Sequence, residues 1–212
     1  MQRVVLASHN AGKLAELTEL LAPLGCELLP LSAFSDRVPE ESAQSFVENA
    51  ILKARFAAAV SGLAAIADDS GLMVAALGGD PGVRSARFAG ADATDKLRVS
   101  TLLRVLGGVP PADRGAEFVC VLVYLRSATD PTPVVGEGIW RGCITTAARG
   151  NHGFGYDPVF QDPGTGLTAA ELSPAAKSRL SHRAVAAQAL VARLVASKNL
   201  PTADEVNIPP RT

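Results

Sequence analysis

The residues Ser8, His9, Asn10, Ala11, Gly12 and Lys13 (SHNAGK) stand where a short apolar run, residues 4–7, gives way to leucines at helical spacing, Leu14, Leu17, Leu21 and Leu24. A strand that feeds a helix through such a turn aims free backbone N–H groups and the positive end of the helix dipole at one point. That favours an anion, and Lys13 adds a point charge. Phosphate is the obvious anion. The segment is not a P-loop, which would need glycine at Ala7 and a hydroxyl at Leu14. In the plainer account, Ser8 or Asn10 caps the helix and Lys13 lies in solvent.

Asp68 and Asp69 adjoin a second apolar run and precede Ser70 and Gly71. Neighbouring strand residues face opposite ways, so one acid is expected in a given cleft, and Asp69, nearer the turn, is our choice. DDSG is also ordinary turn chemistry. Glu40 and Glu41 favour a functional reading. Carboxylates gathered at one site repel by roughly 4 kcal/mol per pair at ~4 Å and an effective dielectric of about 20, a penalty that a divalent cation reverses. Oxygen ligands beside phosphate imply Mg²⁺. Asn49 and Lys53 share a helical face close to that of Ala50, Ala54 and Ala57. Lys53 either snorkels to solvent or steers phosphate or water, and it joins Asp69 as a catalytic candidate.

Toward the C-terminus, GFGYDP packs two glycines, Phe154 and Tyr156 on either side of Gly155, and Asp157 before a proline into one turn. It reads either as a base-stacking clamp or as two core rings in a punctuated turn. The segment KSRLSHR supplies donors at Lys177, Ser181, His182 and Arg183, as a binding cluster or as a solvated basic face.

The elements that must carry these residues alternate early and cluster later. A strand over residues 3–8 leads to a helix closed by Gly25, a short strand at 27–31, and a helical pattern over 43–60 closed by Gly62. Strands at 63–67 and 72–77 flank DDSG, which predicts a sharp reversal. A helix near 94–106, strands at 116–126 and 134–141, and one final helix over 174–197 follow, with Ser173 as its cap and Pro174 at its first position. The expected fold is α/β, a single mixed domain with a long central mixed sheet flanked by helices, in one lobe or in two lobes with the site in the cleft between them. Residues 1–197 form the domain and 198–212, rich in proline, a flexible tail.

With 212 residues and 48% hydrophobic content the chain buries a core unaided. A formal net charge of −1, with its 20 basic residues dispersed, leaves no footprint for long nucleic acid. No apolar stretch is long enough for a signal peptide or membrane span, and Cys26, Cys120 and Cys143 show no CxxC pairing, so reduced thiols and a cytoplasmic setting are expected.

Taken together and in order, SHNAGK, SFVENAILKA, ADDSGL, PGVRSARF, GFGYDP and SHR resemble the RdgB/HAM1 family of non-standard purine nucleoside triphosphate pyrophosphatases. The resemblance implies a cytoplasmic homodimer that uses Mg²⁺ to hydrolyse inosine, deoxyinosine and xanthosine triphosphates (ITP, dITP, XTP) to the monophosphate and pyrophosphate. It implies substrate contacts from Ser8 through Lys13, Ser70, Phe154, Gly155, Tyr156, Asp157, Lys177, His182 and Arg183. Asp69 would accept a proton and bind metal, with Glu41 as the further metal carboxylate. Ala43, where the family has glycine, and His152, where it has small or amide residues, are the departures. Hypoxanthine and xanthine offer an oxygen acceptor at C6, whereas adenine offers a donor that would oppose His182 and Arg183. An unmet buried donor is worth roughly 1–3 kcal/mol, or about 5- to 150-fold. A non-catalytic nucleotide sensor is the alternative, and the charge and 5% aromatic content disfavour an RNA-binding module.

Overall fold

A computed structural model of the chain describes residues 2–37 and 39–197. The expected tail, 198–212, lies outside the described residues. Among the described residues six strands form one mixed sheet, in the order β2-β1-β3-β4-β5-β6: β1 (Arg3–Leu6), β2 (Glu27–Pro30), β3 (Ala64–Val74), β4 (Gly115–Leu125), β5 (Val134–Ile144) and β6 (Phe160–Gln161). The helices are α1 (Ala11–Leu20), α2 (Phe46–Ser61), α3 (Asp95–Val105), α4 (Pro174–Leu180) and α5 (His182–Ala196). The described residues divide into two compact units, the first of residues 2–37, 39–69, 121–138 and 183–197, the second of 70–120 and 139–182. Among the described residues no helix is long and apolar enough to cross a membrane.

In the first unit β1 runs parallel to both β2 and β3, with Leu6 abreast of Ile66. The odd-numbered residues Val5, Ala7, Ala65, Ala67, Val121, Val123 and Leu125 form one core with Ala50, Ala54, Ala57 and Ala58 of α2. The even-numbered Val4, Leu6, Ala64 and Ile66 are buried as well, as expected for a parallel sheet covered on both faces. Helix α2 begins at Phe46 rather than at residue 43, because the Ser45 hydroxyl caps it, accepting from the Glu48 N–H and donating to the Glu48 carboxylate. Its closure at Gly62, in the left-handed conformation with φ 68°, is as read from the sequence.

The second unit is cored differently. Phe118 packs on Phe160 and Trp140, with His182 stacked on Phe118 at 4.7 Å, and Tyr156 belongs to the same cluster.

Two expectations fail. Residues 64–74 form one uninterrupted strand instead of two strands about a DDSG reversal. The two aspartates have ion-pair partners that let them lie buried in extended backbone, so their turn-forming composition is overridden. The final helix is also two, broken at Ser181, whose ψ of 152° leaves the helical path. Serine in extended conformation just before a helix is a favoured start, and it lets α5 set out afresh at His182.

Candidate active site

Helix α1 begins where the sequence places it, with the Asn10 side chain accepting from the Lys13 N–H. Lys13 does not extend into solvent: its Nζ donates to Asp68 Oδ1 at 2.5 Å. The parallel register explains the meeting. Leu6 lies beside Ile66, so the turn after β1 starts abreast of the next residues of β3. Strand alternation then sorts the two aspartates. Asp68 shares the parity of Ile66 and meets Lys13 and, at 3.7 Å, Arg183 Nε. Asp69 shares the parity of Ala67, the residues packed against α2, and there it meets Lys53 and Asn49.

Lys53 is the centre of this group. Its Nζ donates to Asp69 Oδ1 at 2.7 Å and to Glu41 Oε1 at 2.9 Å, so the two carboxylates converge on one atom. Burial works against the lysine's charge, but Asp69, Asp68 and Glu41 outweigh it, and its pKa lies above the ordinary lysine value. Burial raises Asp69, with Lys53 opposing and Glu41 adding to the rise, which makes it a stronger base than a solvated carboxylate. Burial also resists ionisation of Asp68, yet the charges of Lys13, Arg183 and Lys53 prevail and hold it well below the usual carboxylate range.

Asn49, seen from the sequence only as a neighbour of Lys53, is fully buried. Its amide oxygen accepts from the Ala43 N–H at 3.1 Å, and its Nδ2 lies 3.4 Å from both the Ala43 carbonyl and Asp69 Oδ2. It ties the segment carrying Glu41 to the strand carrying Asp69. Glu16 was missed altogether: it accepts from Arg183 Nη1 at 3.1 Å. Its signal was its place three residues after Lys13, on the same helical face. Ser8 accepts from the Asn10 N–H, His9 Nε2 lies 3.4 Å from the Ser35 carbonyl, and Ala11 and Gly12 open α1.

In the second unit, Phe154 is half-buried while Tyr156 is a core residue whose hydroxyl donates to the Ser85 carbonyl at 2.9 Å, so the two rings of GFGYDP do not form a matched pair. Asp157 Oδ2 accepts from the Phe154 N–H at 3.0 Å and from Lys177 Nζ at 2.7 Å, and that ammonium lies 5.1 Å from the Phe154 ring centre. Gly153, at φ 76°, is obligatory here, because a Cβ would stand 2.0 Å from the Asp157 carboxylate. Ser70 is half-buried in β3. Lys177, Ser181, His182 and Arg183 are all buried, so KSRLSHR is no solvated basic face.

Among the described residues no three or more His, Cys, Asp or Glu side chains gather as a ready-made metal cage. Glu41 and Asp69 nevertheless bring carboxylate oxygens to 2.9 and 2.7 Å from Lys53 Nζ, so two hard oxygen donors lie close together beside that ammonium, and Mg²⁺ needs only one or two protein carboxylates when phosphate and water complete its shell. The donor set fits.

The family model of the Ham1 family matches residues 4–193. The chain is 54% identical over 193 residues to a protein of Methylococcus capsulatus called dITP/XTP pyrophosphatase, covering 91% of this chain and 96% of the relative. In structure it is similar to a HAM1 protein from Coxiella burnetii, with TM-score 0.86, 46% identity, and coverage of 92% of this chain and 100% of that one. The Ham1 protein of Staphylococcus aureus follows at TM-score 0.82 and 38% identity, with 92% and 100% covered.

Proposed function

Because the chain belongs to the Ham1 family and is an enzyme, we propose that it hydrolyses non-standard purine nucleoside triphosphates, inosine, deoxyinosine and xanthosine triphosphates, to the monophosphate and pyrophosphate. It does so with Mg²⁺, as a cytoplasmic homodimer, clearing these compounds from the nucleotide pool, and residues 1–197 form the catalytic domain. The observation that carries this reading is the convergence of Glu41 and Asp69 on Lys53 beside the Lys13–Asp68 pair.

Backbone N–H groups of residues 8–12 and the Lys13 ammonium hold phosphate oxygens at the head of α1. Asp69 takes a proton from the water whose oxygen attacks the α-phosphorus, as the bond to the pyrophosphate oxygen breaks. Lys53 keeps Asp69 aimed, and Asn49 holds Asp69 and the Glu41 segment in register. Glu41 and Asp69 would hold Mg²⁺, which would supply charge neutralisation and Lewis acidity at the phosphoryl group. Phe154 supplies a stacking face for the base, and His182 and Arg183 favour an oxygen at C6 over an amino group.

Incubation with inosine triphosphate and Mg²⁺ is expected to release pyrophosphate. Release of orthophosphate would place the broken bond elsewhere, and no release at all would sink the reading. Asp69→Asn is expected to fold and bind nucleotide while losing about 10²–10⁴-fold in turnover, the range for a general base.

A further inference from the structure

The segment PGVRSARF and the start of α3 have no part in the site as described so far, yet both end on the GFGYDP turn. Asp95 is the first residue of α3, behind the cap made by Thr94. An acid there ordinarily supports its own helix through the dipole. Here its Oδ2 instead accepts from the Gly155 N–H at 2.7 Å, across 60 residues of sequence. Its Oδ1 pairs with Arg98, which also donates to the carbonyls of Ala86 and Ala93. Ala86 follows Ser85, whose carbonyl takes the Tyr156 hydroxyl and whose own hydroxyl is fixed by the Leu72 N–H.

The consequence falls on Phe154. Its N–H is held by Asp157 and the next N–H by Asp95, so the planar peptides on both sides of its Cα are pinned by carboxylates. Its φ and ψ are then set, and the ring keeps only its two side-chain torsions. We propose that Asp95 is a specificity-positioning residue, which presents the Phe154 ring to a purine base by fixing the peptide after it. This rests on the reading of Phe154 as the base platform, and it gives PGVRSARF a role as the frame that seats Asp95 through Arg98.

Steady-state kinetics with inosine triphosphate and Mg²⁺ on Asp95→Ala and Asp95→Asn test this, with inorganic tripolyphosphate, which has no base, as a competing inhibitor. For Asp95→Ala, loss of a charge-assisted hydrogen bond that acts only through base binding is expected to raise KM about tenfold and leave kcat within about twofold. Inhibition by tripolyphosphate stays as in the parent. Asp95→Asn keeps an oxygen acceptor for the Gly155 N–H and is expected to recover KM to within about threefold of the parent. An unchanged KM in Asp95→Ala, a fall in kcat in its place, a parallel shift in tripolyphosphate inhibition, or Asp95→Asn as impaired as Asp95→Ala each overturns the positioning role. Should Asp95→Ala fail to fold, Asp95→Ser, whose side chain is too short to hold the Gly155 N–H but suits a helix start, takes its place with the same expected and overturning results. A parent protein that leaves inosine triphosphate intact overturns the functional reading itself, a result distinct from all of these.

Discussion

In the first unit the side chains at the site are charged and nearly out of water: Lys53, Asp69 and Asp68 expose 9%, 7% and 0% of themselves. In the second the principal feature is a half-buried neutral ring, with one buried pair, Lys177 and Asp157, behind it. The first arrangement is mutual, since each charge is tolerable only because the others compensate it. The second is additive: the ring sits on a turn whose peptides are fixed by separate bonds, and losing the ring leaves nothing stranded. Damage should therefore spread in the first unit and stay local in the second.

Lys53→Met is the severest test of that contrast. Leaving Asp69 and Glu41 without their shared cation is expected to lower stability by about 3–5 kcal/mol, seen in denaturant unfolding. Turnover should fall on the order of a hundredfold or more, measured as pyrophosphate release. A variant both stable and active would show that the carboxylates do not depend on it. Phe154→Ala is expected to raise KM for inosine triphosphate about tenfold, within the ~1–3 kcal/mol of one stacked base, with kcat and the unfolding midpoint close to the parent's. A collapse of kcat there would erase the distinction.

The smallest effect sharpens the comparison inside the first unit, away from the site. Asp130 accepts from Arg126, and this bond above all, against burial, holds its carboxyl well below the usual range. A folded-state pKa below the unfolded value of about 3.9 means that the stabilisation is complete at neutral pH and fades as pH falls below about 4. Asp130→Asn should be less stable than the parent at pH 7, with the gap closing in acid and turnover unaltered. A gap independent of pH would assign the effect to packing.

The periodic segments were legible because one principle governs each: α3, β4 and the caps at Gly62 and Ser173 lie within a few residues of their expected places. DDSG misled because Asp, Ser and Gly signal a turn only when their side chains must find local partners. Here the partners, Lys13 and Lys53, come from 55 and 16 residues away. The break at Ser181 was hidden for the opposite reason, since alanines on both sides support a helix whether or not it is continuous. Acids and lysines announce themselves by type, so Asp69, Lys53, Glu41 and Lys13 could be singled out from the sequence. Asn49, Glu16 and Asp95 act by what they fasten, and fastening is a matter of fold.

The alanines at 50, 54, 57 and 58 of α2 have a consequence for chemistry. Bare methyl groups let the helix settle close on the strands, and that gap sets how far the Lys53 arm must reach to touch Asp69. The seam works as a ruler. A leucine at Ala54 would lift the helix and retune Asp69, the proposed proton acceptor, without altering any charged group around it, so the calibration of this cluster resides in the residues with the least chemistry of their own.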